Sequence, residues 1–317
     1  MEQPPEFVAQ GESGKVCKLK RSLYGLKQSP CAWFGRFSNA VVEFGMQRSA
    51  YDHTVFYKHT NYGCVLLIVY VDDIVITGSD ASGIEALKSF LGSEFHTKDL
   101  GVLKYFLGIE VARSKKGIFL SQRKYVLDML GDTGLLGSKP CDTPMDQGVK
   151  LLAGKGEPFE DPERYRRLVG KLNYLTITRP DIAFPVSVVS QFMSAPTQTH
   201  WEAAVRIVKY LKGAPGKGIL YADHGYIRVE AFSDVDWAGS PGDRKSMTGY
   251  CVFVGGNLVS WKSKKQNVVS RSSAESEYRA MAHVASEIVW ISTEVWVDSE
   301  ETLFNVSMSA TTYATSN

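Results

Sequence analysis

The fold is decided by the segment VLLIVYVDDIVIT, residues Val65–Thr77, in which apolar side chains surround two adjacent acids. Val65–Val71 is apolar and largely β-branched, and Ile74–Thr77 repeats this character after only two residues. Two such runs with this spacing predict a β-hairpin that carries Asp72 and Asp73 at its tip. The apolar flanks predict that the hairpin is buried, where two adjacent carboxylates are costly unless a cation relieves their repulsion.

Two interpretations of this acidic pair are open from the residues alone. Carboxylate oxygens are hard ligands that suit Mg²⁺, and two such ions can hold the attacking and leaving oxygens of a phosphoryl transfer. Aspartate is also a common turn residue, so a solvated turn is the structural alternative. The neighbouring sequence has to decide between a metal site and a turn.

The rest of the chain alternates helix-like and strand-like segments. Apolar side chains at helical spacing predict helices at Ala32–Phe44, Ile84–Phe95, Gln122–Gly131, Tyr165–Thr176 and Thr199–Leu211. Runs of β-branched and aromatic residues predict further strands at Val55–Tyr57, Tyr105–Val111, Val229–Phe232, Gly249–Val254 and Leu258–Lys262. The Gly- and Pro-containing residues Asp142–Pro162 predict a linker.

Length and composition describe an ordinary globular chain. Its 317 residues suggest two or three compact units, and 44% apolar residues can form cores without disulfides. The five cysteines form no C-x-x-C pair, which fits a reducing compartment. The net charge of +2 does not by itself indicate nucleic-acid binding. No signal peptide is recognisable, and the longest apolar run, Val65–Val71, is too short for a membrane helix.

A second acidic pattern lies in the C-terminal third. Asp234 and Asp236 stand at the end of a predicted strand, and Glu277 lies in the first turn of a predicted helix that runs to about Ile291. The helix dipole explains acids in a first turn in general. The helix dipole explains Glu275, which also completes a predicted capping box with Ser272. Neither the dipole nor the capping box requires an acid at position 277, so Glu277 is the candidate site residue. The residues expected to face inward are Tyr278, Met281, Ala285 and Ile288.

A basic stretch separates these acids. Residues 244–274 contain no acid and six basic residues, which are Arg244, Lys245, Lys262, Lys264, Lys265 and Arg271. Such a set predicts a surface that follows nucleic-acid phosphates, and an ordinary solvated face is the alternative. Trp237 and Trp261 could stack on a sugar or base, but core positions are the preferred interpretation.

Several motifs resemble one family. Leu23–Pro30 resembles the template- and nucleotide-contacting motif of reverse transcriptases, Tyr70–Asp73 resembles their catalytic box, and Lys104–Glu110 resembles their primer grip. Leu23–Trp33, Asp99–Val111 and Arg244–Tyr250 are most similar to copia-type long-terminal-repeat retrotransposons. The resemblance covers nearly the whole chain, with its motifs in the family's order.

The resemblance implies roles for individual residues. It implies that Asp72 and Asp73 bind Mg²⁺ or Mn²⁺ for catalysis, and that Gly25, Ser29 and Pro30 shape the floor under the templating base pair. It also implies that Asp234 and Glu277 are the strand and helix acids of a ribonuclease H site that share metal ions. A structural role is the preferred interpretation of Asp236, with a role in the site as the alternative. Cys31 stands where the family usually has arginine, which puts one phosphate contact in doubt.

The resemblance also implies an architecture of class α+β and α/β. It implies a partial reverse-transcriptase palm over residues 1–113, with an antiparallel sheet and helices, and a thumb-like segment over 114–150. A helical connection over 151–225 and a C-terminally truncated ribonuclease H-like domain over 226–317 would follow. The expected partners are an RNA/DNA template–primer or hybrid and the remainder of the Pol polyprotein, with no membrane. The expected location is intracellular, in a cytoplasmic particle or the nucleus.

Both sites are expected to be incomplete. The family's third polymerase acid would precede Met1, and its third ribonuclease H acid aligns with Val306, with Asp298 as the rival position. A fourth acid would lie beyond Asn317. These departures predict weakened metal binding and a chain that is inactive alone, including in primer extension. The alternative to an enzyme fragment is a non-catalytic relic or nucleic-acid-binding remnant.

Overall fold

The structure, a computed structural model, describes residues 29–146, 148, 151–295 and 307–310, together with residues 16 and 18. Contacts divide the chain into two compact units, Met1–Val102 and Leu103–Asn317. The predicted boundary near residue 113 falls inside the second unit, because the strands that follow Leu103 pair with a strand about a hundred residues later. No helix of the described part is long and apolar enough to cross a membrane.

The first unit is an antiparallel sheet with two helices. Its elements are α1 (Ser29–Glu43), β1 (Gln47–Arg48), β2 (Val55–Thr60), β3 (Gly63–Tyr70), β4 (Asp73–Gly78) and α2 (Ala81–Glu94), and the sheet order is β1-β2-β3-β4. Alternate residues of β3 are buried, as expected for a strand with one face on the core. Those residues share one apolar cluster with Phe37 of α1 and with Leu87 and Leu91 of α2.

The second unit begins with a four-stranded antiparallel sheet and a helical bundle. The sheet contains β5 (Tyr105–Phe106), β6 (Ile109–Ser114), β7 (Gly117–Ser121) and β8 (Gly218–Tyr221). Between β7 and β8 lie α3 (Arg123–Asp132), α4 (Pro162–Leu175), α5 (Ala183–Val189) and α6 (Gln198–Gly213). The apolar faces of these helices form one buried cluster that includes Leu172, Val186 and Ile207.

A second sheet follows in the same unit. It contains β9 (Val229–Asp236), β10 (Met247–Val254), β11 (Asn257–Lys265) and β12 (Ser307–Ala310), in the order β11-β10-β9-β12. Its neighbouring strands are antiparallel except β12, which runs parallel to β9. The helix α7 (Ser273–Val295) packs its apolar side chains on β9 and β10.

One predicted strand is wrong as a single element. Tyr105–Val111 is a hairpin, because Leu107 and Gly108 turn the chain between β5 and β6 with φ of 49° and 81°. Gly108 is the local turn signal that the strand prediction missed, whereas leucine at position 107 is not a turn residue. The Leu107 carbonyl accepts a hydrogen bond from the Tyr174 hydroxyl of α4, a contact from far along the chain that supports this backbone.

The predicted inward face of α7 is also wrong for three of its four positions. Tyr278 is 71% exposed, Ala285 is exposed and Met281 is only partly buried. Ile288 is buried as predicted, and among the side chains of α7 that the structure describes Ser276, Ala280, Val284 and Ile291 are also buried. The helix is therefore rotated by about one residue from the predicted face, which determines where Glu277 points.

Candidate functional sites

The acidic pair of the first unit lies at a hairpin tip, as predicted. Tyr70 pairs with Asp73, so Val71 and Asp72 form the two-residue turn between β3 and β4. The turn is one residue earlier than the predicted Asp72-Asp73 turn. Asp72 and Asp73 are both exposed, and so are Tyr70 and Val71. The expectation that the tip is buried is wrong, because only the strand residues farther from the tip reach the core.

The backbone of this tip is strained. Val71 has a φ of 51°, a region that a β-branched residue rarely occupies. Two-residue hairpins with a positive φ at the first turn position usually have glycine there. Strained backbone of this kind clusters at functional sites, where the surrounding structure holds it.

The residues predicted to lie under the template begin the first helix. Ser29 and Pro30 are the first residues of α1, Ser29 partly buried and Pro30 exposed. Cys31 is exposed next to them. Gly25 lies outside the described residues, so the predicted floor is described only at its helical end.

The second acidic pair brings a strand and a helix together. Asp234 is exposed on β9, and Glu277 is partly buried on the first turns of α7. Burial raises the pKa of Glu277, and the negative charge of Asp234 raises it further. The charge of Asp234 on β9 therefore acts on Glu277 of α7.

The other two acids in these segments have structural partners. The Asp236 carboxylate covers Gly239, where a Cβ atom would collide with it, and the Asp236 carbonyl accepts from the Gly239 amide at 3.3 Å. Glu275 accepts from the Arg271 amide at 2.8 Å and pairs with Arg279 at 2.9 Å, and these contacts lower its pKa. Half of the predicted capping box forms, because the Ser272 hydroxyl accepts from the Glu275 amide at 3.1 Å. The Glu275 carboxylate accepts from the amide of Arg271, the residue before Ser272, and not from that of Ser272 itself.

The two tryptophans differ in environment. Trp237 is 47% exposed, so the core position predicted for it is wrong, although its ring nitrogen donates to the Ser270 carbonyl at 3.3 Å. Trp261 is partly buried, and its ring nitrogen donates to the Thr176 carbonyl at 3.0 Å. The Trp261 contact joins β11 to the end of α4.

The basic residues do not all share one cavity. Lys262 and Lys264 are exposed on β11, and within the described residues neither ammonium forms an ion pair. Lys265 pairs with Asp243 at 3.0 Å. These three lysines line a groove of about 200 Å³ between β10, β11 and α7, whose lining does not include Arg244, Lys245 or Arg271.

The groove also has a wall that sequence reasoning missed. His283, Ser286 and Glu287 of α7 line it opposite the lysines. Their spacing in the sequence does not indicate a site. They lie near the lysines only because α7 packs on the sheet. The Glu287 carboxylate accepts a 2.6 Å hydrogen bond from the Ser260 hydroxyl.

The predicted third ribonuclease H position is not described. Val306 and Asp298 both lie outside the described residues, while Ser307–Ala310 pair with Glu230–Ser233 of β9. Within the described residues, no three His, Cys, Asp or Glu side chains converge so that they could hold a metal ion.

Comparisons with known proteins identify the family. Residues 1–147 match the family described as reverse transcriptase (RNA-dependent DNA polymerase). The retrovirus-related Pol polyprotein from transposon RE1 of Arabidopsis thaliana is 44% identical over 291 residues, which is 92% of this chain and 20% of that protein. The corresponding polyprotein from transposon TNT 1-94 of Nicotiana tabacum is 36% identical over 303 residues, 92% of this chain and 23% of the relative.

An uncharacterized mitochondrial protein of Arabidopsis thaliana is 42% identical over 226 residues, which is 71% of this chain and 94% of that protein. The chain thus spans about a fifth of the length of the Pol polyproteins it matches and nearly all of this shorter relative. The family match, the motif order and the hairpin with its two acids agree. The chain belongs to the copia-type retrotransposon Pol family and carries a reverse transcriptase domain.

Proposed function

We propose that this chain contributes metal-binding carboxylates and nucleic-acid contacts to RNA-directed DNA polymerisation and to cleavage of RNA–DNA hybrids. Asp72 and Asp73 would serve the first reaction, and Asp234 and Glu277 the second. The observation that carries the proposal is the exposed acidic tip of the β3–β4 hairpin, inside the segment that matches reverse transcriptases. The proposal assigns residues 1–113 to a palm and 226–317 to a ribonuclease H-like domain, with a thumb-like segment and a connection between them.

The donor chemistry at the hairpin tip fits Mg²⁺ or Mn²⁺. Asp72 and Asp73 offer carboxylate oxygens, the ligands that hard divalent cations prefer. Both side chains are exposed, so a hydrated ion can reach them without the cost of opening a core. A bound ion would stabilise the negative charge that develops on the reacting phosphate. Asp72 lies in the turn and Asp73 is the first residue of β4, so both acids lie at the same end of the hairpin.

The second pair fits a cation for a different reason. Burial raises the pKa of Glu277, and the negative charge of Asp234 raises it further. A cation between them would offset the repulsion and favour the ionised form of Glu277. The pair supplies two oxygen ligands from two elements, so the packing of α7 on β9 sets their separation. Exposed lysines of β11 would hold the phosphates of the hybrid.

Metal binding by the purified full chain tests the proposal. Mn²⁺ replaces Mg²⁺ as the probe, and electron paramagnetic resonance measures the free ion. We expect one class of sites to disappear in Asp72→Asn/Asp73→Asn and another in Asp234→Asn/Glu277→Gln. The matched control Glu43→Gln/Glu94→Gln removes two exposed acids of the first unit and should leave both classes intact. Equal Mn²⁺ binding by the control and either double variant would refute the corresponding site.

Binding without catalysis is the second candidate, and the exposed lysines favour it. The full chain should bind a labelled RNA–DNA hybrid in the presence of EDTA, where metal-dependent chemistry is blocked. Templated primer extension with Mg²⁺ that is lost in Asp73→Asn would assign polymerase chemistry to this chain itself. Hybrid cleavage that is lost in Asp234→Asn would assign hydrolysis to it. Hybrid binding with neither reaction would favour the non-catalytic role.

A further inference from the structure

We infer that Gln266 is a positioning residue that sets the separation of the Asp234 and Glu277 carboxylates, an inference that rests on the proposed function. Gln266 directly follows β11, and it is only 5% exposed. A buried amide costs free energy unless its donors and its acceptor are hydrogen-bonded. The partners of this side chain therefore show which parts of the structure it holds together.

The Gln266 side chain joins the strand β10 to the helix α7. Its Nε2 atom donates one hydrogen bond to the Thr248 hydroxyl of β10 and one to the Ser276 carbonyl of α7, both at 3.0 Å. Its Oε1 atom accepts from the Ser270 hydroxyl at 3.0 Å. A carbonyl can only accept, so the bond to Ser276 fixes the orientation of the amide. All three partner residues are at most 4% exposed, so water does not compete for these bonds.

The two ends of this connection lie beside the two acids of the second pair. Thr248 pairs with Val235 in the register of β9 and β10, and Val235 directly follows Asp234. Ser276 directly precedes Glu277, so its carbonyl belongs to the peptide bond that joins these two residues. A side chain that spans Thr248 and Ser276 therefore fixes the helix position of Glu277 against the strand that carries Asp234.

Two further routes connect Gln266 to the end of β9. The Ser270 hydroxyl is bonded to the Gln266 amide, and the Ser270 carbonyl accepts from the Trp237 ring nitrogen at 3.3 Å. The Gln266 backbone amide donates to the Ser246 carbonyl at 2.8 Å, and the Ser246 hydroxyl accepts from the Ala238 amide at 3.2 Å. Trp237 and Ala238 directly follow β9, the strand that carries the first acid of the pair. The network around Gln266 thus contacts β10, the end of β9 and the first turn of α7.

The competing explanation is that Gln266 only stabilises the fold, as fully satisfied buried hydrogen-bond networks do. The two roles predict different results for a variant that still folds. A purely structural residue lowers the free energy of unfolding and leaves the metal affinity of the folded chain unchanged. A positioning residue changes the affinity of the folded chain, because two carboxylates at an altered separation share one ion less well.

The test measures Mn²⁺ binding to the purified full chain by electron paramagnetic resonance, with circular dichroism to establish that each variant is folded. Gln266→Met keeps the length of the side chain and removes its amide. We expect about tenfold weaker binding at the Asp234/Glu277 class of sites, within the usual effect of residues that orient metal ligands. The class at the hairpin tip should be unchanged in the same sample. Gln191→Met, the same change at an exposed glutamine after α5, is the matched control and should leave both classes intact.

A second pair of variants decides the question if Gln266→Met does not fold. Thr248→Val removes the hydroxyl that pairs with the amide, whereas Thr248→Ser retains a hydroxyl. We expect weaker Mn²⁺ binding at the Asp234/Glu277 class in Thr248→Val and nearly normal binding in Thr248→Ser. If folded Gln266→Met binds with wild-type affinity, or if it is unfolded and the two Thr248 variants bind equally, the inference is overturned and the proposed function stands. A wild-type chain without any Mn²⁺ class that Asp234→Asn/Glu277→Gln removes would overturn both the inference and the proposed second site.

Discussion

At the scale of single residues, two glutamates on α7 show how position decides the effect of a charge. Glu275 and Glu277 are two residues apart in the same first turns. Glu275 has the Arg271 amide and the Arg279 guanidinium as partners, and its pKa is lowered. Glu277 is partly buried beside Asp234, and its pKa is raised. The Glu275 carboxylate therefore stabilises the folded chain. The Glu277 carboxylate destabilises it through repulsion by Asp234, which a bound cation would offset.

Substitution of each glutamate should therefore change stability in opposite directions. In EDTA near neutral pH, Glu277→Gln should raise the free energy of unfolding by ~0.2–1 kcal/mol, because it removes repulsion and the desolvation of a charge. Glu275→Gln should lower it, because the amide is a weaker partner for Arg279. Urea unfolding of both variants measures the two effects, and a loss of stability in Glu277→Gln would contradict the inferred repulsion.

The pH dependence follows from the same shifts. The folded pKa of Glu277 lies above its reference of 4.5, so folding is penalised at pH values above the folded pKa, and the penalty disappears as pH falls toward 4.5. The folded pKa of Glu275 lies below 4.5, so its contribution is present above 4.5 and is lost as pH falls through the folded pKa. Both variants should approach the wild type in acid. A Glu277→Gln gain that grows on acidification would show the opposite linkage.

At the scale of elements, the β3–β4 hairpin holds its acids on a strained turn. We expect Val71→Gly to stabilise the first unit by up to ~1 kcal/mol, because strain of about 1–2 kcal/mol at positive φ exceeds the roughly 0.5–1 kcal/mol entropic cost of glycine. The measurement is the free energy of unfolding from urea titration, followed by a probe in the first unit such as hydrogen exchange of β3.

The matched control for this turn lies in the same hairpin. Val75 is partly buried within β4 and has no positive φ, so Val75→Gly should destabilise the unit by about 1–2 kcal/mol. Opposite signs for the same chemical change would establish that the tip, and not valine in general, is strained. If Val71→Gly destabilises as much as Val75→Gly, the turn is not strained.

The elements also show which features were predictable from sequence. The β3–β4 hairpin was predictable because apolar runs and a two-residue spacing are local signals. The turn at Leu107-Gly108 was not, because its support comes from Tyr174, which is distant in sequence. The electrostatic effect of Asp234 on Glu277 is consistent with their order in the sequence. The groove wall of His283, Ser286 and Glu287 depends on the rotation of α7, which was predicted about one residue away.

At the scale of the whole molecule, the second unit joins its helical bundle to the β9–β11 sheet through specific contacts. The Trp261 ring nitrogen donates to the end of α4, and the Ser187 and Ser263 hydroxyls meet at 3.1 Å between α5 and β11. Within the bundle, the buried Arg179 pairs with Asp181 at 2.8 Å and donates to the Ala214 carbonyl after α6 at 3.0 Å. The bundle and the sheet that carries the second acidic pair are therefore expected to form one cooperative unit.

Trp261→Phe tests this cooperativity, because phenylalanine keeps an aromatic ring in the interface but cannot donate to the Thr176 carbonyl. We expect a loss of ~1 kcal/mol, the typical net value of one hydrogen bond, because the Thr176 carbonyl loses this partner. Hydrogen exchange of the full chain should show equal losses of protection in α4 and in β9–β10, since both would open in the same global event. Trp237→Phe is the control, because its exposed ring donates only to Ser270 within the sheet portion. If Trp261→Phe loses protection only in the sheet, the bundle and the sheet unfold separately. The separation of Asp234 and Glu277 would then depend on the sheet and α7 alone.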